Sequence, residues 1–185
     1  MAKENNKTNK LEGVRLTPHF TLEEMTRTNV KLGYLDQQRQ TQPDAQVIDN
    51  LTRVCQWLEM MRAYPHPLPK EGELLTQSES DRPSSPSGRP GEAPIIINSG
   101  YRCKELNRLV GGCPTSNHLT GCAADIRVNS KEQLLRYAVR LLDISDETGQ
   151  DFDEILLERN SREYWLHFAV RPKNNRRKIH LINVI

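Results

Sequence analysis

Seven of the eleven prolines in this chain fall between Pro65 and Pro94, mixed with Ser, Gly, Glu and Arg and without a periodic apolar pattern. Such a stretch buries too little apolar surface to offset the entropy of ordering it. Residues 65–94 are therefore expected to form a long flexible insertion, either a plain connection or a lid or partner-binding segment. The insertion forces the core into the sequence on either side. A length of 185 residues then allows one domain over 14–185, behind a polar, disordered tail at 1–13. The 36% hydrophobic content and mean hydropathy of −0.71 fit a chain whose apolar residues are concentrated in part of its length.

Periodicity supplies the elements. Thr21, followed three places on by Glu24, forms a capping box for a short helix through Met25. From Asp44 to Ala63, Val47, Leu51, Val54, Leu58 and Met61 recur at helical steps, with Pro43 marking the boundary. A brief helix is expected over Lys104–Val110, stopped by Gly111 and Gly112, and a longer one over Ser130–Leu142 behind a serine cap. Strands are expected over Ile95–Asn98, Ala123–Val128, Phe152–Leu157 and Trp165–Val170, with Lys178–Ile185 as a closing edge. The expected class is α+β: a small, mainly antiparallel sheet covered by helices on one side.

Charge and composition exclude several roles. With 26 basic and 24 acidic residues the net charge is only +2, which argues against a dedicated nucleic-acid binder. No run of about 18 apolar residues is present, so no membrane insertion is expected. The first ten residues lack an apolar core of the secretory type, so the protein is expected in the cytoplasm at synthesis. Cys55, Cys103, Cys113 and Cys122 are then expected as reduced thiols, too widely spaced for a structural zinc site. The run Asn174–Lys178 is expected to be a solvated turn, and His180 a structural residue of the closing strand.

Two short segments carry the chemistry. Ser116-Asn-His118-Leu-Thr-Gly121-Cys-Ala-Ala-Asp125 presents an imidazole and a carboxylate seven residues apart, and Trp165-Leu-His167 presents a second imidazole. Two imidazoles and a carboxylate are good zinc donors, and three protein ligands leave a fourth position open for water or substrate. Gly121 permits a tight turn between the first two, and Ala123 and Ala124 allow close packing as the loop enters its strand. No H-E-x-x-H is present, so the helical zinc peptidase site is excluded.

Ser99-Gly-Tyr-Arg102, Asn107 through Gly112, Ser116-x-His118-x-x-Gly121-x-Ala123-x-Asp125 and Trp165-x-His167 occur in that order. Together they resemble the zinc D-Ala-D-Ala carboxypeptidase family, which includes bacteriophage endolysins, and Phe20–Met25 is similar to the opening helix of its phage-type branch. The resemblance implies one Zn²⁺ held by His118, Asp125 and His167, and makes Arg102 the residue that holds a substrate carboxylate or polarises the scissile carbonyl. Ser116 matches a substrate-binding or supporting hydrogen-bond donor beside the metal loop.

The implied activity is hydrolysis of peptidoglycan stem or cross-link peptides at or near D-amino acids. A monomer would act on the cell wall after release from the cell. The alternative is a non-catalytic, zinc-containing module of the same fold that binds cell wall or a protein partner. One departure bears on this choice. Several family members carry an acidic residue three positions before the last histidine, where this chain has Tyr164. Glu158 and Glu163 are the candidates for the missing general base.

Overall fold

The computed structural model describes residues 13–28, 30, 42–63 and 94–183. The tail at 1–12 and nearly all of the proline-rich insertion lie outside the described residues. Helix α1 spans Leu22–Thr26, and Thr21 caps it by accepting from the Glu24 amide at 3.2 Å. Helix α2 spans Ala45–Ala63 and buries Leu51, Val54, Leu58 and Met61 of the expected stripe together with Trp57, while Val47 is half-buried at its start. Strand β1 (Ile97–Ser99), helix α3 (Lys104–Leu109), a 3-10 turn (Asn117–Thr120) and strand β2 (Ala123–Arg127) follow. Helix α4 (Lys131–Thr148) leads to strands β3 (Glu154–Arg159), β4 (Tyr164–Ala169) and β5 (Lys178–Asn183).

The strands form one sheet in the order β1-β2-β4-β3-β5, antiparallel throughout except that β5 runs parallel to β3. Alternation along paired strands divides the residues between two faces. Ile126, Leu166, Phe168 and Ile155 share the face that carries the core beneath α2 and α4. There Trp57 of α2 meets Phe168 with ring centroids 5.3 Å apart. Asp125, His167 and Leu156 form a cross-strand row on the opposite face. The α+β class and the one-sided helical cover are those expected from the sequence. Among the described residues, no helix is long and apolar enough to cross a membrane.

Three local differences have physical causes. Helix α4 runs six residues past Leu142, because Ile144 continues the buried stripe and Gly149, at φ +66°, supplies the left-handed stop. Strand β3 starts two residues later than expected. Phe152 and Asp153 are both buried before it, Asp153 as a carboxylate that accepts from Arg176 at 2.9 and 2.7 Å and pairs with Arg171 at 3.1 Å. Burial pushes this carboxyl up, but the hydrogen bonds from Arg176 and Asn117 and the charge of Arg171 outweigh it and hold it below its ordinary value. The run Asn174–Lys178 is thus a clamp rather than a freely solvated turn: Arg176 engages Asp153, Arg177 engages Asp146 and Asp151, and Lys178 engages Glu154.

Gly121 closes the 3-10 turn at φ +72°, and a Cβ there would meet the Val47 carbonyl of α2 at 2.7 Å. Gly121→Ala is expected to destabilise the fold by roughly 1–3 kcal/mol, the cost of a strained left-handed residue, before the contact with α2 is added. The shift of a urea unfolding midpoint measures it, and an unchanged midpoint would show that the turn is not held against α2.

Candidate active site

His118 sits on the 3-10 turn, which Ser116 caps: its Oγ accepts from the His118 amide at 3.3 Å. The turn is tied to the end of β1 by Arg102 N–H donating to the His118 carbonyl at 3.1 Å. The imidazole is 2% exposed, and its Nδ1–H donates to the Gly100 carbonyl at 2.5 Å. That bond assigns the tautomer and leaves the Nε2 lone pair facing inward. Nε2 lies 3.2 Å from Asp125 Oδ1 and 3.2 Å from His167 Nδ1, while His167 Nδ1 lies 2.8 Å from the same Asp125 oxygen. Asp125 and His167 are direct cross-strand partners on β2 and β4, which explains how residues 42 apart in sequence meet.

The donor set suits zinc by a simple geometric test. Ligand atoms about 2.0–2.1 Å from a tetrahedral ion stand about 3.3 Å from one another. The three atoms here are already 2.8–3.2 Å apart, all three residues are buried, and no other such group occurs among the described residues. His118, Asp125 and His167 would hold the ion.

The protonation pattern fits metal binding at His118 and Asp125, and His167 differs. Burial, the largest influence on His118, pushes its imidazole down, and His167 and Arg102 add to this against the pull of Asp125. Burial alone would raise the Asp125 carboxyl, but the His118 and His167 contacts hold it well below the usual range. His167 is raised to about 9, because the carboxylates of Asp125 and Glu154 outweigh the burial that would lower it. A metal must therefore displace a proton from His167 to bind.

Arg102 is brought into the site, though against a protein carboxylate. Its Nη2 donates to Asp125 Oδ2 and lies 3.1 Å from His118 Nε2, while its Nε donates to Ser99 Oγ at 2.8 Å. The guanidinium thus clamps the Asp125 carboxylate and carries its positive charge beside the three residues that would hold the ion. Ser116 reaches the site through the turn it caps.

The two base candidates are placed differently. Glu158 pairs across β3 and β4 with Trp165, and alternation puts both on the face that carries His167. Burial raises the Glu158 carboxyl and the Asp125 charge adds to this, with His167, Trp165 and Arg102 partly offsetting both. Glu163 is exposed in the β3–β4 turn, where its amide donates to Asn160 Oδ1 at 2.9 Å. The strand begins one residue later, at Tyr164, so Glu163 lies outside the sheet alternation.

Two residues in the site were not picked out by sequence reasoning. Glu154 on β3 places Oε2 3.7 Å from His167 Nε2, and Asn117, next to His118, donates from Nδ2 to that same oxygen at 3.0 Å. Glu154 is held down at about 2, first by His167 and then by Lys178 and Arg176, against its burial. Period-two alternation puts Glu154 on the face of Glu158, but only the register with β4 shows that this is the face of His167. His180 stands exposed on β5, opposite Leu156 and hence on the same face as the site, rather than packed as a structural residue.

Residues 88–153 match the Peptidase M15 family. The match supports the resemblance seen in the sequence to zinc D-Ala-D-Ala carboxypeptidases, and with it a metallopeptidase. The Peptidase M15 span takes in Arg102, Ser116, His118 and Asp125. It ends before His167 and Glu158, whose place in the site rests on the sheet geometry. No curated protein shows a significant match to the chain.

Proposed function

We propose that this protein is a monomeric, zinc-dependent peptidase of the phage endolysin type that hydrolyses peptidoglycan stem or cross-link peptides at or near D-amino acids. The observation that carries the reading is the convergence of His118 Nε2, Asp125 Oδ1 and His167 Nδ1 at 2.8–3.2 Å, in a chain with a Peptidase M15 match. A zinc ion bound there supplies Lewis-acid polarisation of the scissile carbonyl and lowers the pKa of water toward neutrality.

The residues of the chain supply the rest. Arg102 fixes Asp125, and its positive charge beside the ligand set is of the sign that stabilises the oxygen of a carbonyl under attack. Glu158 takes the proton of the attacking water on a carboxylate oxygen and returns it to the leaving amine. Its raised pKa suits this exchange, because an ordinary carboxylate is a weak base at neutral pH. Ser116 keeps the His118 turn in place.

Purified peptidoglycan incubated with the protein is expected to release new amino groups or free D-alanine, with about one zinc per chain, and a chelator is expected to abolish the release. Mass spectrometry of products from defined wall fragments would separate carboxypeptidase from endopeptidase action. Tyr164, where several members of the resembled family carry an acid, favours the second reading, a zinc-containing module that binds wall peptide without cutting it. Zinc retained with no products from any fragment would decide for that module, and absence of zinc would overturn both.

A further inference from the structure

We propose that Glu154 is the positioning residue for His167: its carboxylate retains the proton on Nε2 and keeps Nδ1 turned toward Asp125 and His118. The inference rests on the metal reading above and extends it beyond the ligands themselves.

The argument begins with register. Glu154 pairs with Ala169 and Leu156 with His167, so Glu154 and His167 are diagonal neighbours on one face of the sheet. The small side chain of Ala169 leaves the diagonal open. With His167 Nδ1 committed to Asp125 Oδ1 at 2.8 Å, Nε2 points the other way, and Glu154 Oε2 lies 3.7 Å from it. That separation is longer than a hydrogen bond, so the contact is electrostatic: a negative charge beside the nitrogen that should carry the proton. A ligating imidazole needs one bare nitrogen, and a carboxylate beside the other selects which nitrogen that is.

The carboxylate is itself held at both oxygens. Oε1 pairs with the Arg176 guanidinium at 2.9 Å and accepts from Lys178 at 3.3 Å, and Oε2 accepts from Asn117 at 3.0 Å. The Glu154 side chain is only 12% exposed, which shields its charge from water. Asn117 adds a link to the other imidazole, because it precedes His118 on the turn and also donates to Asp153 at 2.8 Å. The C-terminal basic clamp, the third metal ligand and the loop of the first ligand thus meet at one carboxylate.

A plain structural role predicts something different. If Glu154 served only to pair Arg176 and Lys178, its neutralisation would lower the melting temperature and leave the metal site alone. The test uses the full chain in four forms: wild type, Glu154→Gln, Glu154→Asp and Lys178→Ala. Zinc affinity is read in a chelator-buffered series, the proton position on His167 by imidazole ¹H–¹⁵N correlation of the zinc-loaded proteins, and the fold by melting of the metal-free proteins.

Glu154→Gln is expected to weaken zinc binding about 10–100-fold, the usual effect of losing a carboxylate behind a ligating histidine. Glu154→Asp, which keeps the charge, should recover part of that loss, and Lys178→Ala should stay within about threefold of wild type because Arg176 still holds Oε1 at 2.9 Å. Zinc affinity of Glu154→Gln within twofold of wild type would overturn the proposal and leave the metal site standing. So would equal losses in Glu154→Gln and Glu154→Asp that track their melting temperatures. A wild-type chain that binds no zinc would instead remove the metal reading and this inference with it.

Discussion

His118→Ala is expected to cost the protein its zinc and reduce hydrolysis to background while the sheet and helices stay folded. The three ligands share the binding free energy of one ion. Structural zinc sites with four protein ligands are worth about 10–16 kcal/mol, so one ligand carries roughly 2.5–4 kcal/mol, or about 10²–10³-fold in affinity. Alanine removes more than a donor atom. Nε2 is one corner of the 2.8–3.2 Å triangle, and Nδ1–H is the buried partner of the Gly100 carbonyl at 2.5 Å. Leaving that carbonyl without a donor costs on the order of 1–3 kcal/mol, so a fall in melting temperature accompanies the loss of metal. Zinc content per chain and amino-group release from peptidoglycan, measured together with far-UV circular dichroism, check the expectation. A His118→Ala protein that still carries one zinc per chain would remove His118 from the ligand set.

The helices could be read directly because their signals are local. Thr21 and Ser130 cap the helices that follow them, and the apolar steps from Val47 to Met61 need no knowledge of the rest of the chain. Strand ends were less legible. The start of β3 depends on Asp153 being buried against Arg171 and Arg176, which arrive from more than fifteen residues further on. The parallel pairing of β5 with β3 depends on a crossover that no local pattern encodes. The charged run before β5 looked solvated for the same reason: each of its carboxylate partners lies 22 or more residues earlier in the chain.

The candidate site divides along the same line. His118, Asp125 and His167 stand out because a turn glycine and small alanines surround the first two and a tryptophan flanks the third. Arg102 is part of the same ordered pattern, but its contact with Asp125 could not be foreseen, because a guanidinium fork fits a substrate carboxylate equally well. Glu154 needed the register of β3 against β4, since a one-residue slip would turn it to the core face.

Register also decides the expectation for Glu158→Gln. This variant should bind zinc as wild type does and lose about 10²–10⁴-fold in turnover, the usual worth of a positioned proton carrier. Glu163→Gln should stay close to wild type. Glu158 lies on the strand and the face of the metal row, beside Trp165, whereas Glu163 is exposed in the turn beyond the first residue of β4. Glutamine keeps the shape of Glu158 and removes its ability to accept a proton, so a loss of turnover without loss of zinc separates proton transfer from metal binding.

The pH dependence follows from the same carboxylate. A base works only when ionised, so activity should rise as pH rises through the Glu158 pKa. Because burial, the largest influence on it, raises that pKa, the acid limb of the profile should lie above the ordinary glutamate value. In Glu158→Gln the residual activity should lack that limb. If turnover survives in Glu158→Gln and fails in Glu163→Gln, the proton leaves through the hairpin turn and the sheet face does not carry the base.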